Sequence, residues 1–342
     1  MIFNDKIKFI PQLRELLSSA NNICIVTHAN PDGDALGSSL GLYHLLKEHQ
    51  KSIKVVIPDR VPDFLKWLPG SNEVIVAYDN KELMEMAMAE ADLVFCLDFN
   101  QLNRVNGVTE ALTKTPGKRI LIDHHPEPDN DFFLGLSMTS SSSTAELIFE
   151  VCEELGLTKN LGKDAASCIY TGIMTDTGSF SYAIGRGRTF EVLAHLIDAG
   201  IEKDKIHSLV FDSFSEQRMR LMGYCLKDKM VVISQLRTAY ISLSAAEIKL
   251  FNHKVGDTEG FVNLPLSISG IVFSVFFSER DGVIKMSLRS RGNFAVNDFA
   301  KKYYGGGGHR NAAGGKSLLP LQETIAQFEQ YLKEYEAELT NA

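Results

Sequence analysis

Short apolar runs separated by amphipathic stretches fill the first half of the chain. Ile23–Thr27, Ile53–Ile57, Val74–Ala77, Leu93–Asp98 and Arg119–Asp123 are rich in β-branched and large apolar residues. They run on without polar alternation, as strands covered on both faces of a parallel sheet do. Leu36 to Leu46, Lys81 to Ala91, Thr144–Leu155 and Asp164–Met174 repeat their apolar positions at helical spacing. Alternating strand and helix predict a doubly wound, mainly parallel α/β domain over residues 1–190, opened by an amphipathic helix within Met1 to Ser19. From 191 to 228 the pattern is helical without strand signals, which predicts a helical connector. Val231–Gln235, Thr238–Ser242, Ile271–Phe277 and Ile284–Arg291 alternate more, as mixed sheets do. Helices follow at Val296–Tyr304 and Leu321–Leu339, so residues 229–342 read as a smaller α/β domain with a mixed sheet.

The polar residues that interrupt this pattern fall where the strands end. His28, Asp32 and Asp34 share a Pro/Gly-punctuated turn after the first strong strand. Asp98 closes another strand, and Asp123-His124-His125 closes a third. Asp176 lies where an apolar segment breaks near a glycine, in Thr175-Asp176-Thr177-Gly178. In open α/β sheets ligands bind beyond the carboxyl ends of the strands, so residues distant in sequence can converge there. Carboxylates with imidazoles and no thiolate suit Mn²⁺, with Fe²⁺, Co²⁺ or Zn²⁺ as alternatives. Mg²⁺ rarely takes histidine. The other histidines (His44, His49, His195, His207 and His253) stand alone and read as structural.

Composition narrows the partners. The 342 residues carry a formal net charge of -8, which argues against long duplex nucleic acid. Positive charge is concentrated from Arg280 to Lys316, where eight Lys/Arg meet two acids. A local basic patch on an acidic chain suits a small, concentrated anion. Within it, Gly305-Gly306-Gly307-Gly308-His309-Arg310 predicts backbone closely approaching an anion. Ser287, Arg289 and Arg291 alternate on a predicted strand and so share a face. No apolar run approaches the ~20 residues of a membrane span. The five scattered cysteines, with no signal-peptide core, point to a reducing cytoplasm.

These residues, in this order, carry a resemblance. His28-x-x-x-Asp32-x-Asp34, Asp98, Asp123-His124-His125 and Asp176 resemble the four motifs of the DHH phosphoesterases. The Gly305–His309 run with Ala312-Ala313-Gly314 resembles the hallmark of the DHH-associated C-terminal domain. The two-domain form is similar to the nanoRNase/pAp-phosphatase (NrnA-type) branch of that family. The resemblance implies that His28, Asp32, Asp34, Asp98, His124 and Asp176 bind two Mn²⁺, with Asp98 bridging. It implies that His125 contacts the scissile phosphate and that Asp123 holds the loop or a histidine. It also implies that Arg104 lies near the site and that Arg289, Arg291, Gly307, Gly308, His309 and Arg310 grip the nucleotide. The expected substrates are very short oligonucleotides, linear dinucleotides or pAp, cut by metal-activated water. A family II-like pyrophosphatase, a cyclic-di-AMP phosphodiesterase and a non-catalytic nucleotide-binding regulator are the alternatives, and a homodimer stays open.

Overall fold

The computed structural model describes residues 1–47, 52–254 and 256–342; His49 lies outside them. The chain divides into two units, Met1–Ser213 and Phe214–Ala342. The first contains β1 (Ile2–Phe3), α1 (Lys6–Ser19), β2 (Asn22–Thr27), α2 (Gly33–Lys47), β3 (Ser52–Ile57), β4 (Ile75–Val76), α3 (Lys81–Glu90), β5 (Leu93–Leu97), α4 (Thr109–Lys114), β6 (Lys118–Asp123), β7 (Leu134–Ser137), α5 (Thr144–Leu155), α6 (Lys163–Asp176), α7 (Arg188–Asp198) and α8 (Lys203–Phe211). Its seven strands lie in the order β1-β7-β6-β5-β2-β3-β4, and every pairing is parallel. The uninterrupted apolar character of β2 follows from two cores. Ile23 and Ile25 face the helices α1, α2, α5 and α6, while Cys24 and Val26 face α3 and α4. The strand order reverses between β2 and β5, which is where doubly wound sheets open a binding crevice.

Helices α2 and α6 touch backbone to backbone. A Cβ added to Gly37 would lie 2.6 Å from the Cys168 carbonyl oxygen and 2.7 Å from the Gly172 nitrogen. Only glycine on both sides permits this approach, and it carries Asp34 of α2 towards Asp176 of α6.

The second unit contains α9 (Glu216–Tyr224), β8 (Met230–Ile233), β9 (Thr238–Leu243), α10 (Ala245–Leu250), β10 (Phe273–Arg280), β11 (Val283–Ser290), α11 (Val296–Tyr304), β12 (Gly307–His309), β13 (Ala312–Ser317), α12 (Leu321–Leu332) and α13 (Glu336–Asn341). Its six-stranded sheet runs β12-β13-β11-β10-β9-β8. It is mixed, with β9 and β10 parallel and the other neighbours antiparallel. Phe273, Phe277, Phe299 and Phe328 are fully buried against one face and meet edge to face at 5.3–6.0 Å, a favoured ring geometry.

Several expectations change. The helical stretch 191–228 does not stand apart as a connector. Val192, Leu196, Ile206 and Val210 join the core of the first unit, and Leu221 and Cys225 join the second. An amphipathic period reads the same whether a helix bridges domains or packs on one. The strand expected over Val74–Ala77 shrinks to Ile75–Val76. The long terminal helix stops at Leu332, and a 3₁₀ turn sets Tyr335 against Phe294 and Phe299 before α13. All five cysteines are buried, and burial pushes the thiols of Cys24, Cys152 and Cys225 up to about 12. Among the described residues no helix is long and apolar enough to cross a membrane.

Ser244 and Glu247 close a capping box at the start of α10. Glu247 also accepts from the Tyr224 hydroxyl at 2.6 Å and the Lys229 ammonium at 2.8 Å. Burial works against its charge, but these bonds outweigh it and bring the carboxyl from 4.5 to about 2. A depressed carboxyl stabilises above its ordinary value and loses that stabilisation as pH falls through its folded value. Glu247→Gln is therefore expected to cost about 2 kcal/mol at neutral pH. The gap to the parent should shrink as pH drops from 4.5 towards 2; urea titrations of both chains across that range check it.

Candidate metal centre

The site is built at the carboxyl ends of β2, β5 and β6. His28 follows β2, Asp98 follows β5, Asp123 ends β6, and His124 and His125 come next. Asp98 turns immediately out of its strand with φ +64, a region that aspartate and asparagine tolerate better than most residues. Asp32 caps α2, its Oδ1 accepting the Asp34 and Ala35 N–H groups at 3.1 and 3.0 Å. Asp34 is in the first turn of α2 and fully buried. Asp176 is the last residue of α6 rather than part of a glycine break, because that helix continues two residues past Met174.

Candidate ligand atoms gather in overlapping groups: His28/Asp32/Asp98, Asp34/His124/Asp176 and Asp98/Asp123/His125, with the atoms of each within 4.8 Å of one another. Asp98 reaches two ways. Its Oδ2 is 3.4 Å from His28 Nε2, and its Oδ1 is 3.7 Å from His124 Nε2. His124 Nε2 also lies 3.2 Å from Asp176 and 3.8 Å from Asp34. The Nδ1 of His28 meets the Ala29 carbonyl at 2.9 Å, so as a donor it leaves Nε2 bare towards the carboxylates. His125 Nδ1 lies 2.8 Å from Asp123 Oδ1. The other oxygen of Asp123 is buried with no hydrogen-bond partner among the described residues.

The electrostatics call for positive charge. Burial opposes the imidazolium of His28, yet Asp98 and Asp32 carry its pKa up to about 9. For His124 too the nearby aspartates outweigh burial and raise the pKa. Asp98, despite burial, is held well below the usual carboxylate range by the three histidines. Asp34 goes the other way, pushed up by burial and by Asp98, Asp176 and Asp32. A divalent cation meets the same demand with the imidazoles neutral. The orphaned oxygen of Asp123 and the oxygen–nitrogen donor set fit such an ion. Arg104 ends a short 3₁₀ turn near this cluster; its carbonyl takes the Ala29 N–H at 2.8 Å, and its charge is felt at His28.

One contributor escaped the sequence reading. The first two N–H groups of α5 bind both oxygens of Asp34, Thr144 at 2.7 Å and Ala145 at 2.8 Å. The Thr144 hydroxyl donates to Asp98 Oδ1 at 3.0 Å. The serine run before Thr144 signals a helix start, but nothing in it names the carboxylates that the start would meet.

In the second unit the glycine run is not an open loop. Gly307–His309 form the edge strand β12, hairpinned to β13. Gly306 and Gly308 are required by the chain itself: a Cβ there would lie 1.9 Å from the Gly314 carbonyl oxygen and 2.5 Å from that of Ala312. Gly307 alone of the three has open space above it. The register aligns Arg289, Ala312 and His309 in one row and Ser287, Gly314 and Gly307 in the next. Directly opposed residues share a face, so a glycine and alanine floor is rimmed by Arg289 and His309. It lies opposite the face on which Met286, Leu288 and Ala313 join the phenylalanine core. Arg291 falls just past β11 and is exposed, and Arg310 turns back to the Asn293 carbonyl at 2.8 Å.

Comparison with known proteins agrees with this fold. Residues 22–173 match the N-terminal domain of the DHH family, and residues 243–338 match the DHHA1 domain. The bifunctional oligoribonuclease and PAP phosphatase NrnA of Thermus thermophilus is 33% identical over 94% of this chain and 91% of its own. The Bacillus subtilis protein of the same name is 28% identical over 95% and 99%. The crystal structure of an exopolyphosphatase-related protein from Bacteroides fragilis superposes with a TM-score of 0.92 at 41% identity, covering 97% of each chain. Motif order, fold and relatives agree that this chain belongs to the DHH family of phosphoesterases, with a DHHA1 domain as its second unit.

Proposed function

We propose that this hydrolase uses two manganese ions to cleave very short oligoribonucleotides and pAp to mononucleotides. The observation that carries the reading is the Asp98 carboxylate, with one oxygen towards His28 and the other towards His124. A single carboxylate aimed at two ligand groups suits a pair of cations. When bound, such a pair would lower the pKa of coordinated water and neutralise phosphate charge. His28, Asp32 and Asp98 would hold one ion; Asp34, His124, Asp176 and Asp98 would hold the other. Asp123 fixes the ring of His125, which presents its far nitrogen to the scissile phosphate, and Arg104 adds positive charge. Arg289, Gly307, Gly308 and His309 anchor the nucleotide on the second unit, with Arg291 and Arg310 supplying further positive charge. Buried thiols and the lack of any long apolar helix among the described residues suit work in the cytoplasm.

A pyrophosphatase reading is disfavoured by the DHHA1 match over residues 243–338. The test is phosphate and nucleotide release from pAp, pyrophosphate, cyclic di-AMP and an oligoribonucleotide ladder. Chelator should abolish turnover and Mn²⁺ should restore it best. Rates should fall steeply beyond roughly five nucleotides, since the basic patch is short. Equal rates along the ladder, or preference for pyrophosphate, would overturn the reading.

A further inference from the structure

The first turn of α5 holds two carboxylates of the metal centre, so whatever fixes that turn also aims them. The turn is unusually tied down. Ser143 Oγ caps the Glu146 N–H at 3.0 Å, and Glu146 Oε2 reaches back to the Ser142 N–H at 2.9 Å. Thr189 of α7 donates to both Glu146 oxygens. Glu146 and Glu150, one helical turn apart, are both buried, at 0% and 1% exposure. Two like charges so placed repel each other and lose their hydration unless answered. Arg186 answers them through one nitrogen, its Nη2 lying 2.6 Å from Glu146, 3.0 Å from Glu150 and 3.3 Å from Ser141 Oγ. Lys6 adds a second cation on Glu150 at 2.9 Å. Arg186 belongs to the segment that leaves α6 just after Asp176. Arg186, paired with both glutamates, thus joins the segment after Asp176 to the turn that grips Asp34 and Asp98.

We propose that the Glu146–Arg186 pair is a positioning device. It sets the first turn of α5 so that Thr144 and Ala145 hold Asp34 and Asp98 in the geometry that the cations need. Neither residue belongs to the candidate ligand groups among the described residues, and the inference rests on the two-metal reading above. Groups that orient metal ligands are commonly worth 10–100-fold in metal affinity.

The test uses full-length Arg186→Met, Glu146→Gln, Thr144→Val and Thr144→Ser beside the parent. Each is stripped with chelator and titrated with Mn²⁺ by calorimetry, then assayed for pAp turnover at saturating Mn²⁺. Arg186→Met, Glu146→Gln and Thr144→Val should weaken Mn²⁺ binding by about 10–100-fold. Thr144→Ser, which keeps the hydroxyl, should restore most of it, and KM for pAp should stay unchanged. If Arg186→Met does not fold, Arg186→Lys and Glu146→Gln, which keep most of the side-chain volume, decide. A merely structural role would lower the melting temperature and leave the Mn²⁺ affinity of folded protein as in the parent; that result overturns the proposal. A parent that takes up no divalent ion would instead overturn the metal reading on which the proposal depends.

Discussion

Asp98→Asn should lower turnover by about three orders of magnitude, near 4 kcal/mol of barrier, while leaving the chain folded. The expectation combines charge and shape. Asparagine tolerates the left-handed backbone that Asp98 adopts, and it can still accept from the Thr144 hydroxyl. What it lacks is the second anionic oxygen directed at the other ligand group. Bound-metal analysis should show fewer than two ions per chain, and circular dichroism should match the parent. Near-normal Mn²⁺-dependent turnover in that variant would remove the bridging role.

Gly172→Ala should damage fold and chemistry together. The added methyl would stand 2.5 Å from the Ala145 Cβ and 2.9 Å from Asp34 Oδ1. It would wedge α6 away from the start of α5 and push on a carboxylate whose two oxygens are already committed. A loss of about 3 kcal/mol or more is expected from overpacking of this kind, with weakened Mn²⁺ binding. Gly223→Ala is the control, because its Cβ would meet nothing within 4 Å. Equal unfolding midpoints for the two variants would mean that the contact of α6 with Ala145 and Asp34 yields easily.

The central strands and the chemistry they present were readable because both faces of β2, β5 and β6 are buried. Such strands need continuous apolar runs, and the polar residues that end them stand out. The aspartates and histidines that cluster beyond these strands stood out for the same reason. What escaped lacks that contrast. β1 has two residues, β7 carries Gly135, and β12 with β13 is built on glycine and alanine, so no apolar run marks them. The glycine run was read as backbone approaching an anion, whereas Gly306 and Gly308 are there because neighbouring carbonyls occupy the space a side chain would take. The division at residue 213 was hidden because α7, α8 and α9 share one period while burying their stripes in different cores. The clamp of α5 on Asp34 spans 110 residues, a separation that no local pattern encodes.

The burial of every thiol gives the native chain an unusual transparency to alkylating reagents. A thiolate must form and be reached before it reacts, and here neither happens until structure opens. Four of the five lie in the first unit, at Cys24, Cys96, Cys152 and Cys168, and one, Cys225, lies in the second. The unmodified protein therefore carries its own reporters of local opening. Modification at Cys225 counts excursions of the second unit, and modification at the other four counts those of the first. Mass spectrometry of each peptide would separate the two clocks without a single engineered label.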